Sequence, residues 1–203
     1  MSVRSRIAGF LARLLSALAM AWVAGVYGAD VSESETVLLV ARPEFRDPIY
    51  GETILIARPI GQGRHVGFIL NKPTQISLAD AFPGHGPSKT VPGPIYLGGP
   101  AEVDAVFALV ASHDSPGRGS IQLSPDVFLV IAADTVDHVI EFEAERARFF
   151  AGAVVWQPGE LNEELRRGAW YVLDPEPDLV LPRKTDGMWQ QLVQRAELRE
   201  NGI

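Results

Sequence analysis

The polar pair Asn71-Lys72 carries the best-placed chemistry in this chain. It ends a short apolar run, Gly67 to Leu70, and is closed by Pro73. Proline cannot donate to a sheet ladder and biases Lys72 toward an extended backbone, so the pattern predicts a buried strand that stops at a polar corner. A lysine at a rigid corner can bind an anion or, if desolvated, act as a base or nucleophile. Gly98 and Gly99 follow another apolar run, Ile95 to Leu97, and lack the side chains that would keep a ligand away from the backbone. If the two strand ends are neighbours, Asn71, Lys72, Gly98 and Gly99 frame a small polar site for a ligand or a partner. The alternative is that they only stabilise turns.

Other candidate chemistries are weaker. Gly61-Gln62-Gly63-Arg64-His65-Val66-Gly67 resembles a dinucleotide loop, but its last glycine is one place late and a strand follows where a helix N-terminus should hold the pyrophosphate. It reads as a flexible hairpin link. There is no Gly-Lys-Ser/Thr phosphate loop and no Gly-x-Ser-x-Gly elbow. His65, His85, His113 and His138 are scattered, and His113 with Asp114 reads as an exposed loop rather than a metal site. Glu160, Glu163 and Glu164 share roughly one helix face beside Arg166 and Arg167, the pattern of a solvated face rather than a carboxylate pair. Trp156 and Trp170 read as packing residues. No catalytic set, metal site or cofactor is expected from these residues.

The bulk numbers bound the remaining classes. A chain of 203 residues suits one domain, or one domain plus a targeting segment. The formal charge is −7, and residues 1–28 hold three arginines and no acid, which leaves −10 for the rest. Such a balance disfavours direct nucleic-acid binding, where neutralising phosphates supplies most of the affinity. The absence of cysteine excludes disulfides, thiolate nucleophiles and a Cys-anchored lipid form. Arg4, Arg6 and Arg13 precede Leu14 to Tyr27, an uncharged segment shorter than the roughly 20 residues needed to span a bilayer. With Val26 and Gly28 at the −3 and −1 positions, it predicts a secretory signal cleaved after Gly28 and a periplasmic or secreted location. An uncleaved anchor, the one expected membrane contact, is the alternative; an over-extended start on a cytoplasmic protein is a third. Residues 29–203 then form a single domain.

The elements that must position these residues are mostly strands. Val37 to Ala41, Thr53 to Ala57 and His65 to Leu70 are apolar, β-branched segments with short links, predicting a meander. Ser77 to Asp80 has the form of a capping box opening a short helix. Residues 83–94 hold four prolines and three glycines and read as irregular. Strands are then predicted at 95–97, 105–111, 121–123, 127–132, 149–156 and 169–173. Helices are predicted at 135–145, at 160–167 with Gly168 as its stop, and at 187–198 capped by Asp186. Residues 174–182 read as irregular. The class is α+β.

Four stretches in one order give the chain a resemblance to the YqgE/AlgH family. They are Leu38-Leu39-Val40-Ala41 with Pro43 and Asp47-Pro48; Gly67 to Pro73; Pro94-Ile95-Tyr96-Leu97-Gly98-Gly99-Pro100; and Trp156-Gln157-Pro158-Gly159-Glu160-Leu161 with Glu164 and Trp170. The similarity spans about Thr36 to Leu198 and implies a mixed, curled, barrel-like sheet flanked by a few helices. Two departures stand out. Family members usually begin near the first strand, and they tend to carry a histidine where Ile60 stands and Gly-Ala where Arg64-His65 stand. The molecular role of the family is largely unassigned. The reading is a non-catalytic binding or interaction module with an unidentified protein or small-ligand partner. Its alternatives are a transcriptional regulator, as the AlgH label suggests, and a hydrolase with a site near Asn71 and Lys72.

Overall fold

Val37–Ala41 (β1), Ile54–Pro59 (β2) and His65–Ile69 (β3) form the antiparallel meander that their composition predicts. These coordinates come from a computed structural model that describes residues 35–202; the expected export signal lies outside them. The link from β2 to β3 is a tight hairpin. Gly61, Gln62 and Gly63 all have positive φ, and the Ile60 N–H donates to the Arg64 carbonyl at 2.9 Å.

Beyond the corner the chain departs from expectation. Pro73–Ser77 (β4) is a strand that starts on the proline itself and pairs, with an irregular register, with Pro94–Leu97 (β5). A proline is tolerated there because it is the first residue of an edge strand, where its missing N–H costs no ladder bond. Ser77 then closes the predicted capping box on Leu78–Ala81 (α1): its Oγ accepts from the Asp80 N–H, and Asp80 accepts from the Ser77 N–H. The irregular stretch that follows holds one 3₁₀ turn, Pro87–Thr90.

The rest of the chain supplies Ala101–Ala111 (β6), Ser120–Ser124 (β7), Val127–Val130 (β8), Ala133–Phe142 (α2), Ala147–Trp156 (β9), Glu160–Arg166 (α3) and Trp170–Leu173 (β10). Pro177–Val180 (α4) is a short helix inside the segment expected to be irregular, with proline at its tolerant first position. Met188–Glu200 (α5) ends the fold. Asp186 does not cap it. The N-cap is Gly187, which sits at φ 72° and contributes no side-chain bond. Gly168 does stop α3: the Ala169 N–H reaches the Glu164 carbonyl and the Gly168 N–H the Leu165 carbonyl, the two bonds of a Schellman ending.

The strand order is β10-β1-β2-β3-β9-β6-β8-β7, and β9 is the hub. One of its edges pairs with β6. The other pairs first with β5, in parallel at Tyr96↔Phe150, and then with β3, antiparallel at Gly67↔Val154. One strand serving two successive neighbours makes the sheet mixed and curls it into a half-barrel, so the α+β class and the curled sheet implied by the resemblance both hold. Among the described residues no helix is long and apolar enough to cross a membrane.

Burial explains the apolar run in β1. Leu38 and Val40 face a core shared with Phe68, Phe150, Leu192 and Val193, whereas Val37, Leu39 and Ala41 face a second core with Trp156, Leu161 and Trp170. Both faces are covered, so the strand has no polar side. A third cluster packs α2 on β6, β8 and β9. Arg148 is also buried, at 2% exposure: its guanidinium donates to the Leu70 and Val180 carbonyls and lies 4.1 Å from the Tyr96 ring centroid. Burial pulls its pKa down to about 10.

Candidate functional site

Asn71 ends β3 by imitating a strand. Its Oδ1 accepts from the Ile54 N–H at 2.8 Å and its Nδ2 donates to the Glu52 carbonyl at 2.9 Å, so the side chain continues the ladder after the backbone has turned away. Lys72 Nζ reaches the Gly51 carbonyl at 3.4 Å. Both predicted site residues therefore brace one loop, residues 42–53. Asp47 organises the same loop from within: its Oδ1 accepts from the Ile49 and Tyr50 N–H groups, and its carbonyl accepts from Gly51. Glu52 is held at φ 57°, a left-handed backbone that side chains other than asparagine and aspartate rarely adopt.

The far side of this loop opens on a cleft of about 600 Å³ lined by Arg42, Phe45, Arg46, Asp47, Glu52 and Trp189 among others. Its walls differ in freedom. Arg42 is committed, paired with Glu200 and stacked 3.9 Å from the Tyr171 ring centroid, and the Trp189 indole donates to the Ala41 carbonyl. Among the described residues, the exposed side chains of Arg46 and Glu52 have no hydrogen bond or ion pair. Among the described residues, Arg46 and Glu52 are thus the charged side chains of the cleft without a partner, and Phe45 and Trp189 add aromatic surface to its lining. Pro43, Asp47 and Pro48, which belong to the stretches that carry the resemblance, line it.

Gly98 and Gly99 sit behind the corner. The strand ends are neighbours as expected, since the Leu97 N–H donates to the Lys72 carbonyl and the Ile69 N–H to the Gly98 carbonyl. The close approach that the glycines permit is made by β9. A Cβ on Gly98 would lie 2.2 Å from the Gly152 carbonyl oxygen, and one on Gly99 2.3 Å from the Ala153 backbone. Both glycines are buried, and the space beside them is filled by protein.

The three glutamates of α3 are not one solvated face. Glu160 accepts from the Gln157 N–H, and Glu163 pairs with Arg166 and Arg167. Glu164 turns inward: its Oε2 accepts from both the Trp156 indole at 3.1 Å and the Trp170 indole at 2.8 Å. Trp170 in turn packs edge-on against Phe45 and Tyr50 of the braced loop. The Tyr50 hydroxyl is pushed up, chiefly by burial and then by the negative charges of Glu164 and Asp47. His113 is exposed and lies 2.6 Å from Asp126, while Asp114 takes no part in that pair.

The fold agrees with what the chain is similar to. The AlgH-like family model matches residues 38–200. A UPF0301 protein of Streptomyces avermitilis is 27% identical over 173 residues, covering 82% of this chain and 88% of the relative. One from Chlorobaculum tepidum is 29% identical over 159 residues, covering 77% and 83%. In fold, the AlgH protein from Pseudomonas aeruginosa, solved in solution, superposes with a TM-score of 0.67 at 20% identity, over 82% of this chain and 92% of the other. A crystal structure of a Corynebacterium diphtheriae protein gives the same TM-score and identity over 82% and 89%. With the family match running from β1 to the last turn of α5, this chain belongs to the AlgH-like family.

Proposed function

We propose that this protein is a non-catalytic binding or interaction module whose ligand or partner occupies the cleft over residues 42–53. The observation that carries this reading is Glu52. A non-glycine residue held in the left-handed region costs about 1–3 kcal/mol and persists only where its surroundings enforce it. Here the enforcing group is Asn71, and the strained residue presents a free carboxylate at the cleft beside Arg46. A ligand or segment bearing both charges, with an aromatic or apolar body for Phe45 and Trp189, fits such a wall. The hydrogen bonds of Asn71 and Lys72 go to the chain itself, which supports a positioning role for the corner rather than a reactive one.

Crosslinking in the native cell, paired with native mass spectrometry for a retained ligand, tests the reading. Glu52→Gly removes the carboxylate and the strain together. It should fold at least as stably as the parent yet lose partner or ligand recovery, and Arg46→Ala should behave likewise. Unchanged recovery in both folded variants would remove the cleft from the account. The arginine-led apolar segment at residues 4–27 further supports a periplasmic setting. Fractionation with intact-mass measurement should find a mature form beginning at Ala29; an unprocessed cytoplasmic chain would overturn that part.

A further inference from the structure

A second concavity, of about 460 Å³, lies between α1, α2 and the first half of β6. Its origin is a bulge. β6 pairs with β9 at Ala101↔Ala153 and resumes at Val106↔Ala151, so residues 102–105 stand opposite Gly152 alone, and Glu102 takes φ 53° within them. On its other edge β6 meets β8 only from Ala108 onward. Val106 and the exposed Ile131 are left as apolar walls, the exposed Phe82 of the α1 C-cap faces the same space, and Val136 and Ile140 of α2 line it from within the fold.

The charge around this groove has one sign. Asp104 and Asp137 line it, among the described residues no lysine or arginine does, and His85 is bonded through Nδ1 to Ser88 at 2.7 Å. Among the described residues neither aspartate has a hydrogen bond or ion pair through its side chain, whereas Asp134 on the same helix is matched by Arg118. An apolar cavity of this size with a few convergent polar groups is the usual form of a small-molecule site. Two unneutralised carboxylates select the sign of what enters, and the exposed Phe82 ring adds apolar area for its body.

We propose that this groove binds a small apolar amine, with its alkyl or aryl body on Phe82, Val106 and Ile131 and its ammonium directed to Asp104 and Asp137. The site is separate from the cleft over residues 42–53 and shares no residue with it.

A matched pair of probes isolates the charge. 4-Phenylbutylamine and 4-phenylbutyrate, which carry the same apolar body, are titrated into the isotope-labelled chain and followed by amide shifts. The amine should move the signals of residues 82–85, 104–106 and 131–140 and bind at least tenfold more tightly than the carboxylate. Asp104→Asn and Asp137→Asn, both at exposed positions, should each weaken the amine about fivefold, and Ala133→Trp, which fills the groove from its rim, should abolish the shifts. Glu52→Gly should leave amine binding unchanged. Equal binding of the two probes, or shifts that survive the double aspartate variant, would overturn the proposal. So would an absence of shifts at millimolar amine, or groove signals that move on diluting the chain alone, which would show a second copy covering the groove.

Discussion

Replacing Asn71 with alanine removes two hydrogen bonds from the corner at once. Ile54 is fully buried, so its N–H is left without a partner at a cost of about 1–3 kcal/mol. The Glu52 carbonyl can turn to water, and the bond lost there is worth about 0.5–1.5 kcal/mol. Against this, Glu52 is freed from its left-handed backbone, and relaxation returns roughly 1 kcal/mol. The expected net loss is about 0.5–3.5 kcal/mol, centred near 2, which for a domain of this size is a fall in Tm of about 1–14 °C. Asn71→Asp keeps the acceptor for Ile54 but sets a carboxylate oxygen against the Glu52 carbonyl, so it should lose about half as much. Glu52→Gly should gain about 0.5 kcal/mol, because the relief of strain exceeds the extra chain entropy of glycine. In the Asn71→Ala background that gain should vanish, leaving a coupling of about 0.5 kcal/mol or more. Urea unfolding followed by tryptophan fluorescence measures all four variants. Two results would refute the bracing role: a loss below about 0.5 kcal/mol for Asn71→Ala at unchanged m, or destabilisation beyond about 1 kcal/mol for Glu52→Gly.

Three further outcomes follow from the same coordinates. Glu164→Ala leaves two buried indole N–H groups unpaired and should cost about 2–4 kcal/mol with an altered near-ultraviolet dichroism, whereas Glu164→Gln, which keeps an acceptor, should cost under about 1 kcal/mol. Arg148→Lys should be worse than Arg148→Met by about 1 kcal/mol or more in urea unfolding. The ammonium keeps a buried charge yet loses both the planar stacking on Tyr96 and the fork that reaches two carbonyls, while methionine abolishes the charge. The Asp80 carboxyl is held below the usual aspartate range by the Ser77 hydroxyl and then by the Ser77 N–H. The folded state therefore binds that proton less readily than the unfolded one, so the contribution is present above the ordinary aspartate pKa and is lost as pH falls through the lowered one. Amide protection factors across α1, corrected for the intrinsic rate at each pH, should fall in that acid window, and Ser77→Ala should flatten the response.

What could be read from the sequence was what neighbouring residues decide among themselves. The five apolar residues of β1, the capping box at Ser77 and the Schellman glycine at 168 each carry their cause within a few positions, and each stands where it was expected. β4 was invisible because Pro73 reads as a stop, and only its pairing with β5, some twenty residues later, makes a strand of it. Glu164 could not be told from Glu160 and Glu163, because what turns it inward is a pair of indoles on β9 and β10. The freedom of Gly98 and Gly99 was correctly inferred, but what approaches them is the backbone at Gly152 and Ala153, more than fifty residues away. The same non-locality governs the candidate sites. The corner was legible as a feature, while the cleft it supports is assembled from the β1–β2 loop and α5. The second groove lies where four residues of β6 face one of β9, a mismatch of register that no local pattern records. In both places the strain falls on a glutamate, Glu52 or Glu102, held where glycine would rest more easily. Glu52 lines the first cleft and Glu102 lies in the β6 bulge next to the second, so both proposed sites stand where the backbone departs from its preferred conformation.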